Sequence, residues 1–299
     1  MKTIAAVVPQ RSYAPELYAL QAYLAETPDM RVKLITPENA GDNAFDAVYL
    51  KMGFAPKWRP SSAVEIHDYS SASTGKLRRT KDVVKSTLSR RPVLRSFLTK
   101  TVRDQFHFRD DVPSVLRDMG VPDRFLQAGM NRQRGEEFDL FYAGSISQAR
   151  RSSELFGAVE QAGLTILAAG HVQRGIAEQF SDSPNVTFAG PVTVDDIPEL
   201  AARCRFGVNL TPNVSPYNFQ TSTKVVEYLA LGLPVISNDY RWIREFEAES
   251  GARIVKLSDI ADLEQGTLEA DHFVPDMSSY SWRSIFETAQ IYAALRAAL

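Results

Sequence analysis

The sequence predicts an α/β protein built from two doubly wound, Rossmann-like domains. Three observations carry this. At 299 residues the chain is long for one core and comfortable for two. Short, continuous apolar runs alternate with longer segments of helical period, the pattern of parallel strands covered on both faces. The stretch AGMNRQRGEEFD (128–139) is polar, has no periodicity and carries two glycines, so it reads as a linker between halves. The boundary is placed at 130/131, giving domains over 1–130 and 131–299, with a final helix (279–298) set to pack back on the first domain. Two such domains facing each other across a cleft hold a ligand at the carboxyl ends of their strands.

In the first half, strands are predicted at TIAAVV (3–8), RVKLI (31–35), DAVYL (46–50), AVEIH (63–67), VLRSFL (93–98) and RFLQAG (124–129). The apolar run at the start is too short for a leader and ends at Pro9, which leaves a first strand. Helices fall between the strands, and Leu17, Leu20 and Leu24 are spaced for one buried face. The second half reads as strands FDLFYAG (138–144), LTILAAG (164–170), VTFAG (186–190), FGVNLT (206–211), PVISN (234–238) and RIVKL (253–257). Helices are predicted over 151–162, 195–204, 223–231 and 240–249. The terminal SWRSIFETAQIYAALRAAL reads as one amphipathic helix.

Hydrophobic content of 44% with 23% charged residues describes a globular chain. A single cysteine, Cys204, excludes an intramolecular disulfide and suits a reducing compartment. No apolar run approaches the roughly 18 residues of a membrane span. Together these predict a cytoplasmic protein, or one peripheral on the cytosolic face of a membrane. Charge is uneven: residues 76–103 hold Lys76, Arg78, Arg79, Lys81, Lys85, Arg90, Arg91, Arg95, Lys100 and Arg103 against Asp82, a local net charge of +9. Such asymmetry signals a partner. A solvated face, a nucleic-acid patch and a surface for anionic lipid or an anionic acceptor compete. Phe97 is the one aromatic residue there, which argues against base stacking and hence against nucleic acid.

The segment TSTKVVEYLALGLPVISND (221–239) carries the chemistry. Ser222 or Thr223 is a good N-cap, and a helix start leaves N–H groups that attract anions, phosphates above all. Lys224 in the first turn opposes the helix dipole, a poor choice for stability and a reasonable one for a phosphate. Glu227 shares its side of the helix and is placed to accept two ribose hydroxyl hydrogen bonds. An exposed i,i+3 Lys–Glu pair worth about 0.2–0.5 kcal/mol is the alternative. His67 followed by Asp68 is either a turn pair or a functional pair. His107, His171 and His272 lack metal-like spacing and read as structural or surface residues, and Cys204 as a buried small hydrophobe. No GxGxxG, P-loop or GxSxG occurs.

STKVVEYLALGLPVISND resembles the donor-site signature of family-four GT-B retaining glycosyltransferases (glycosyl transferases group 1). FYAGSISQAR, VTFAGPV and FGVNLTP fall in the family's order, and EIHDYSS is similar to its strand-end His element. The resemblance implies a GT-B fold and transfer of a sugar from a nucleoside-diphosphate sugar to a glycan, lipid-linked or small acceptor. It implies retention of configuration, no metal and no cofactor beyond the donor substrate. By position it implies that Glu227 holds the ribose, Arg150 and Lys224 the diphosphate, and His67 the transferred sugar. The backbone of Phe188, Ala189 and Gly190 would cradle the base. Three departures stand out: Phe219 replaces the family's first Glu, Ser145 its Arg after the strand-end Gly, and PQRSYAP its first glycine loop. Lys224 or Arg151 would compensate for Ser145, and Tyr217, Asn218, Gln220 and Thr221, beside Ser222 and Thr223, would replace the missing Glu. A non-catalytic nucleotide-sugar-binding protein and a sugar-nucleotide 2-epimerase are the alternatives.

Overall fold

The computed structural model describes every residue except 9–13, 37–44, 53–62, 74, 76–77, 134 and 136. The chain forms two compact units, Met1–Pro122 with Ser279–Leu299, and Asp123–Ser278. Each unit holds a six-stranded sheet whose neighbouring strands all run parallel.

The first unit begins with β1 (Lys2–Val7), α1 (Pro15–Ala25), β2 (Met30–Ile35), β3 (Ala47–Lys51) and β4 (Val64–Tyr69). It continues with α2 (Arg78–Leu88), β5 (Leu94–Phe97), α3 (Lys100–Phe106) and β6 (Ser114–Leu116). The strand order is β2-β1-β3-β4-β5-β6. Leu17, Leu20 and Leu24 form the buried stripe of α1. The glycine-loop replacement PQRSYAP falls largely outside the described residues.

The second unit runs α4 (Asp123–Met130), β7 (Phe138–Ala143), α5 (Ser152–Gln161), β8 (Ile166–Ala169), α6 (Arg174–Gln179) and β9 (Val186–Gly190). Then come α7 (Ile197–Ala202), β10 (Cys204–Asn209), α8 (Thr223–Ala230), β11 (Val235–Asn238), α9 (Arg241–Ser250) and β12 (Val255–Leu257). The order β9-β8-β7-β10-β11-β12 reverses direction between β7 and β10. In open α/β sheets the crevice beyond the carboxyl ends at such a reversal is where ligands bind. Leu140, Ile166, Val208, Ile236 and Val255, from five strands, share one core with Leu155, Phe156 and Val159 of α5.

Three elements differ from the sequence reading. Residues 124–129 form helix α4, not a strand, and the helix packs so closely that a Cβ on Gly129 would lie 2.2 Å from the Ala230 carbonyl oxygen. With Phe125 buried and Asp123 at the dipole-favoured start, a helical face satisfies both residues. Strand β6 went unrecognised because it is a three-residue edge strand without apolar alternation. The single terminal helix is two, α10 (Trp282–Thr288) and α11 (Ile291–Ala298), broken at Gln290 in the left-handed region (φ 51°). This segment belongs to the first unit. Trp282 lies against Gly120, Phe286 packs on Tyr23 with ring centroids 5.3 Å apart, and the Tyr292 hydroxyl donates to Asp29 at 2.8 Å.

Two glycines test how tightly the second unit is built. Gly170 has φ +140°, and a Cβ there would sit 2.0 Å from the Gly144 carbonyl oxygen. Gly157, inside α5, has open space around its missing Cβ. Gly170→Ala is expected to destabilise by at least about 1–3 kcal/mol. Gly157→Ala should stabilise by about 0.8–1 kcal/mol through helix propensity. Urea denaturation of both variants measures the pair; equal effects would contradict the packing described.

Candidate active site

At the carboxyl edge of the second sheet, β7 and β8 are each followed by a glycine of positive φ, Gly144 (+139°) and Gly170 (+140°), and β9 ends in Gly190 (+73°). Gly144 N–H donates to Ala169 O at 2.9 Å and Gly170 N–H to Gly190 O at 2.8 Å, so the three strand ends form one stepped edge. Lys224, in the first turn of α8, lies across the first step. A Cβ on Gly144 would be 3.1 Å from its Cε, and its amine is 5.1 Å from the centre of the Tyr142 ring. Burial pushes the Lys224 amine down to about 8, the positive charge of Arg150 pushes the same way, and Glu227 opposes both. The Tyr142 hydroxyl, raised above its ordinary value by burial, donates to the Ser145 carbonyl at 3.1 Å.

Lys224, Arg150 and Glu227 are thus brought into one electrostatic neighbourhood beside Gly144. Arg150 is exposed on the 3-10 turn Gln148–Arg150. Arg151 follows it, is also exposed, and lines a concavity with it. Its left-handed backbone (φ 54°) starts α5, and its guanidinium meets Glu154 at 2.6 Å and Asp259 at 3.6 Å. Phe188 is half-buried, edge-on to Phe156, while Ala189 is exposed at the rim. Phe219 is buried, which accounts for an apolar side chain where a ligand-facing carboxylate would stand. Tyr217 is exposed, and Asn218 donates to Asn213 at 3.3 Å. Thr221 and Thr223 are half-buried, and the buried Nε2 of Gln220 has no hydrogen-bond partner among the described residues.

One group of residues escaped the sequence reading. Asn209, buried at the end of β10, donates through Nδ2 to Ser237 Oγ (2.9 Å) and Tyr240 Oη (3.1 Å). Its Oδ1 accepts from Ser222 Oγ (2.9 Å) and Thr211 Oγ1 (3.3 Å). The signal was a lone Asn in the apolar run FGVNLT, since a buried amide requires partners. Beside this group, Arg150, Thr211, Asn213 and Asn238 line a concavity of about 190 Å³ beyond the ends of β10 and β11.

Two parallel α/β units, one carrying a cationic strand-end site at its topological reversal, define a GT-B architecture. Residues 138–270, within the second unit, match the family described as glycosyl transferases group 1. Among solved structures, the chain is similar to a glycosyltransferase involved in avilamycin A biosynthesis (TM-score 0.66, 17% identity, covering 100% of this chain and 98% of that one). It is also similar to sucrose-phosphate synthase from Thermosynechococcus elongatus (0.68, 13%, 100% and 100%). A third likeness is to UDP-N-acetylglucosamine 2-epimerase from Rickettsia bellii (0.60, 10%, 99% and 96%). Compared with curated protein sequences, the chain has no significant match.

In the first unit, His67 is not presented at a strand end. It sits within β4, its ring fully buried, with Nε2 2.8 Å from the Glu65 carboxylate and Nδ1 3.3 Å from the Tyr69 hydroxyl. In the basic segment 76–103, residues 76–77 lie outside the described residues, and five of its cations meet carboxylates. Arg90 meets Glu65, Arg91 meets Asp111, Arg95 forks onto Asp110 at 2.5 and 2.7 Å, and Lys100 and Arg103 meet Asp104. Among the described residues, no helix is long and apolar enough to cross a membrane. Likewise, no group of three or more His, Cys, Asp or Glu side chains could hold a metal ion.

Asp68, on the opposite face of β4 from His67, is the centre of a buried cluster. It accepts from Tyr49 (3.0 Å), Lys51 (3.0 Å), Ser70 (2.6 Å) and Arg117 (3.0 and 3.2 Å), and Lys51 also meets Glu16. Burial would raise the Asp68 carboxyl, but Arg117 and Lys51 outweigh it and hold the group well below its ordinary value. A depressed folded value means that this stabilisation is present above the ordinary carboxylate value of 3.8 and is lost as pH falls below it. Asp68→Asn, which strands the buried Arg117, should cost about 3–5 kcal/mol at neutral pH and flatten the acid limb of the stability profile. A loss under about 1 kcal/mol in denaturant titrations would mean the cluster behaves as a solvated pair.

Proposed function

We propose that the protein transfers a sugar from a nucleoside-diphosphate sugar to a glycan, lipid-linked or small-molecule acceptor, with retention of configuration and without a metal. The observation that carries this reading is the Lys224 amine, largely desolvated over Gly144 beside Arg150, in the first turn of a helix that no side chain among the described residues caps. Two cations next to free helix N–H groups repel one another until an anion arrives. A diphosphate supplies that charge, and the group 1 match of this unit makes a nucleotide sugar its natural source. In this reading Glu227 accepts from the ribose hydroxyls and the edge Phe188–Gly190 lies along the base. Gln220 offers its unpaired amide to the sugar or a phosphate oxygen.

The chemistry follows from where charge develops. Cleavage of the anomeric C–O bond leaves its electron pair on the diphosphate, while the sugar becomes oxocarbenium-like. Arg150, Lys224 and the N–H groups of α8 stabilise the departing oxygens, and removal of one such donor typically costs about 2.7–4 kcal/mol of barrier. The acceptor hydroxyl attacks from the face the diphosphate leaves, forms the new C–O bond and gives its proton to a leaving phosphate oxygen. Retention follows from that same-face approach, and no further carboxylate base is required.

Glu227→Ala should weaken UDP, GDP or dTDP binding with the thermal midpoint nearly unchanged. If Glu227 were only a partner of Lys224, stability would move by about 0.2–0.5 kcal/mol and affinity not at all. Arg150→Gln is expected to lower kcat more than donor affinity, and added EDTA to have no effect; strict dependence on a divalent ion would refute the metal-free reading.

Lys224 adds a pH signature. Its free amine titrates at about 8, and a bound diphosphate must raise that value. Nucleotide binding at about pH 8.5 should therefore take up protons, and affinity should fall as pH rises further. Calorimetry in buffers of different ionisation enthalpy reads the uptake directly. It should vanish in Lys224→Met; a wild-type protein that takes up no proton would remove Lys224 from the diphosphate.

A further inference from the structure

The N-cap position of α8 holds Ser222, the residue type best suited to bond the exposed N–H groups of a helix start. Yet among the described residues no side chain caps this helix. The Ser222 hydroxyl instead donates to Asn209 Oδ1 at 2.9 Å, turned toward the sheet. Asn209 cannot rotate away from this task. Its amide nitrogen is fixed by Ser237 and Tyr240, its oxygen also takes the Thr211 hydroxyl, and the side chain is buried. Tyr240, itself buried, adds a hydroxyl facing the same cluster. Asn238 braces the loop after β10, accepting from Thr211 N–H at 2.8 Å and donating to Thr211 O at 2.9 Å.

We infer that Asn209 is a positioning residue that diverts the Ser222 hydroxyl from its capping role, so that the first N–H groups of α8 stay open for the diphosphate of the donor. A serine oxygen on the Lys224 or Val225 N–H would occupy the place of a phosphate oxygen and compete with it. The fold forgoes a helix cap and keeps an anion site. This rests on the reading of α8 and Lys224 as the diphosphate site, and it adds a residue that touches neither donor nor acceptor.

Inorganic pyrophosphate is the probe, titrated by calorimetry into the whole protein. Asn209→Ala frees Ser222 to cap the helix and should weaken pyrophosphate binding by about fivefold, the factor that one helix cap represents. The double variant Asn209→Ala/Ser222→Ala removes the competitor and should recover most of that loss. A merely structural Asn209 would give the opposite, because the second substitution could only add damage. Equal binding by the single and double variants overturns the inference.

Hydrogen exchange on Ser222→Ala covers the case in which Asn209→Ala does not fold. Removing a hydroxyl that caps nothing should leave exchange at the Lys224 and Val225 amides as it is. Faster exchange there would show that Ser222 caps the helix in solution, and the inference fails. Lys224→Met separates the two levels. If it binds pyrophosphate as tightly as the wild type, the diphosphate reading itself is wrong. If it loses binding while the Asn209 variants do not differ, only the diversion is.

Discussion

A charged amine pressed onto bare backbone is the constraint from which the rest of the second unit follows. Lys224 reaches its place because Gly144 has no side chain. Gly144 adopts φ +139°, a conformation that favours glycine, and its carbonyl lies where only a glycine at 170 leaves room. The stepped strand ends, the aromatic ring of Tyr142 beneath the amine and the left-handed entry into α5 all surround that contact. Withdrawing a lysine from water beside an arginine is unfavourable, and Glu227 offsets it only in part, since the amine still titrates well below its usual 10.5. A site that holds such unrelieved positive charge is stabilised by an anion.

The first unit handles charge in the opposite way. Its sheet buries Glu16 and Asp68 with Arg117 and a mostly buried Lys51, two negative and two positive charges joined by hydrogen bonds. Asp68 alone accepts from four side chains, so the cluster is balanced and has nothing to gain from a ligand's charge. On another part of the same unit, Arg95 lies 3.8 Å from the Phe108 ring centre and is locked to Asp110. Among the described residues the two units therefore differ in electrostatics: the first holds a charge-balanced buried cluster, the second two neighbouring cations at its strand ends. That contrast supports the proposal that the second unit holds the donor.

Much of this architecture was legible in the order of residues. Strands β7, β8, β10 and β11 are short apolar runs buried largely on both faces, and such runs announce themselves because neither face can be polar. Lys224 and Glu227 were legible as a pair, since helical spacing is local and a lysine in a first turn contradicts the dipole. Helix α4 was misread because a run as short as RFLQAG fits either period, and its close contact at Gly129 with the Ala230 carbonyl is a tertiary fact. Edge strand β6 carries no two-faced burial and so no signal.

By itself, then, the sequence determined the α/β class, the two halves and the polar end of α8, because each depends on neighbours within a few residues. Only the tertiary structure showed what those residues meet. It enclosed His67 between Glu65 and Tyr69, spent Arg151 on Glu154 and Asp259, and met five cations of the basic segment with carboxylates at 65, 104, 110 and 111. It also joined Ser222 to Asn209 across 13 positions of sequence. Burial and long-range pairing set the free energy of a charge or a hydroxyl, and neither is a property of local order.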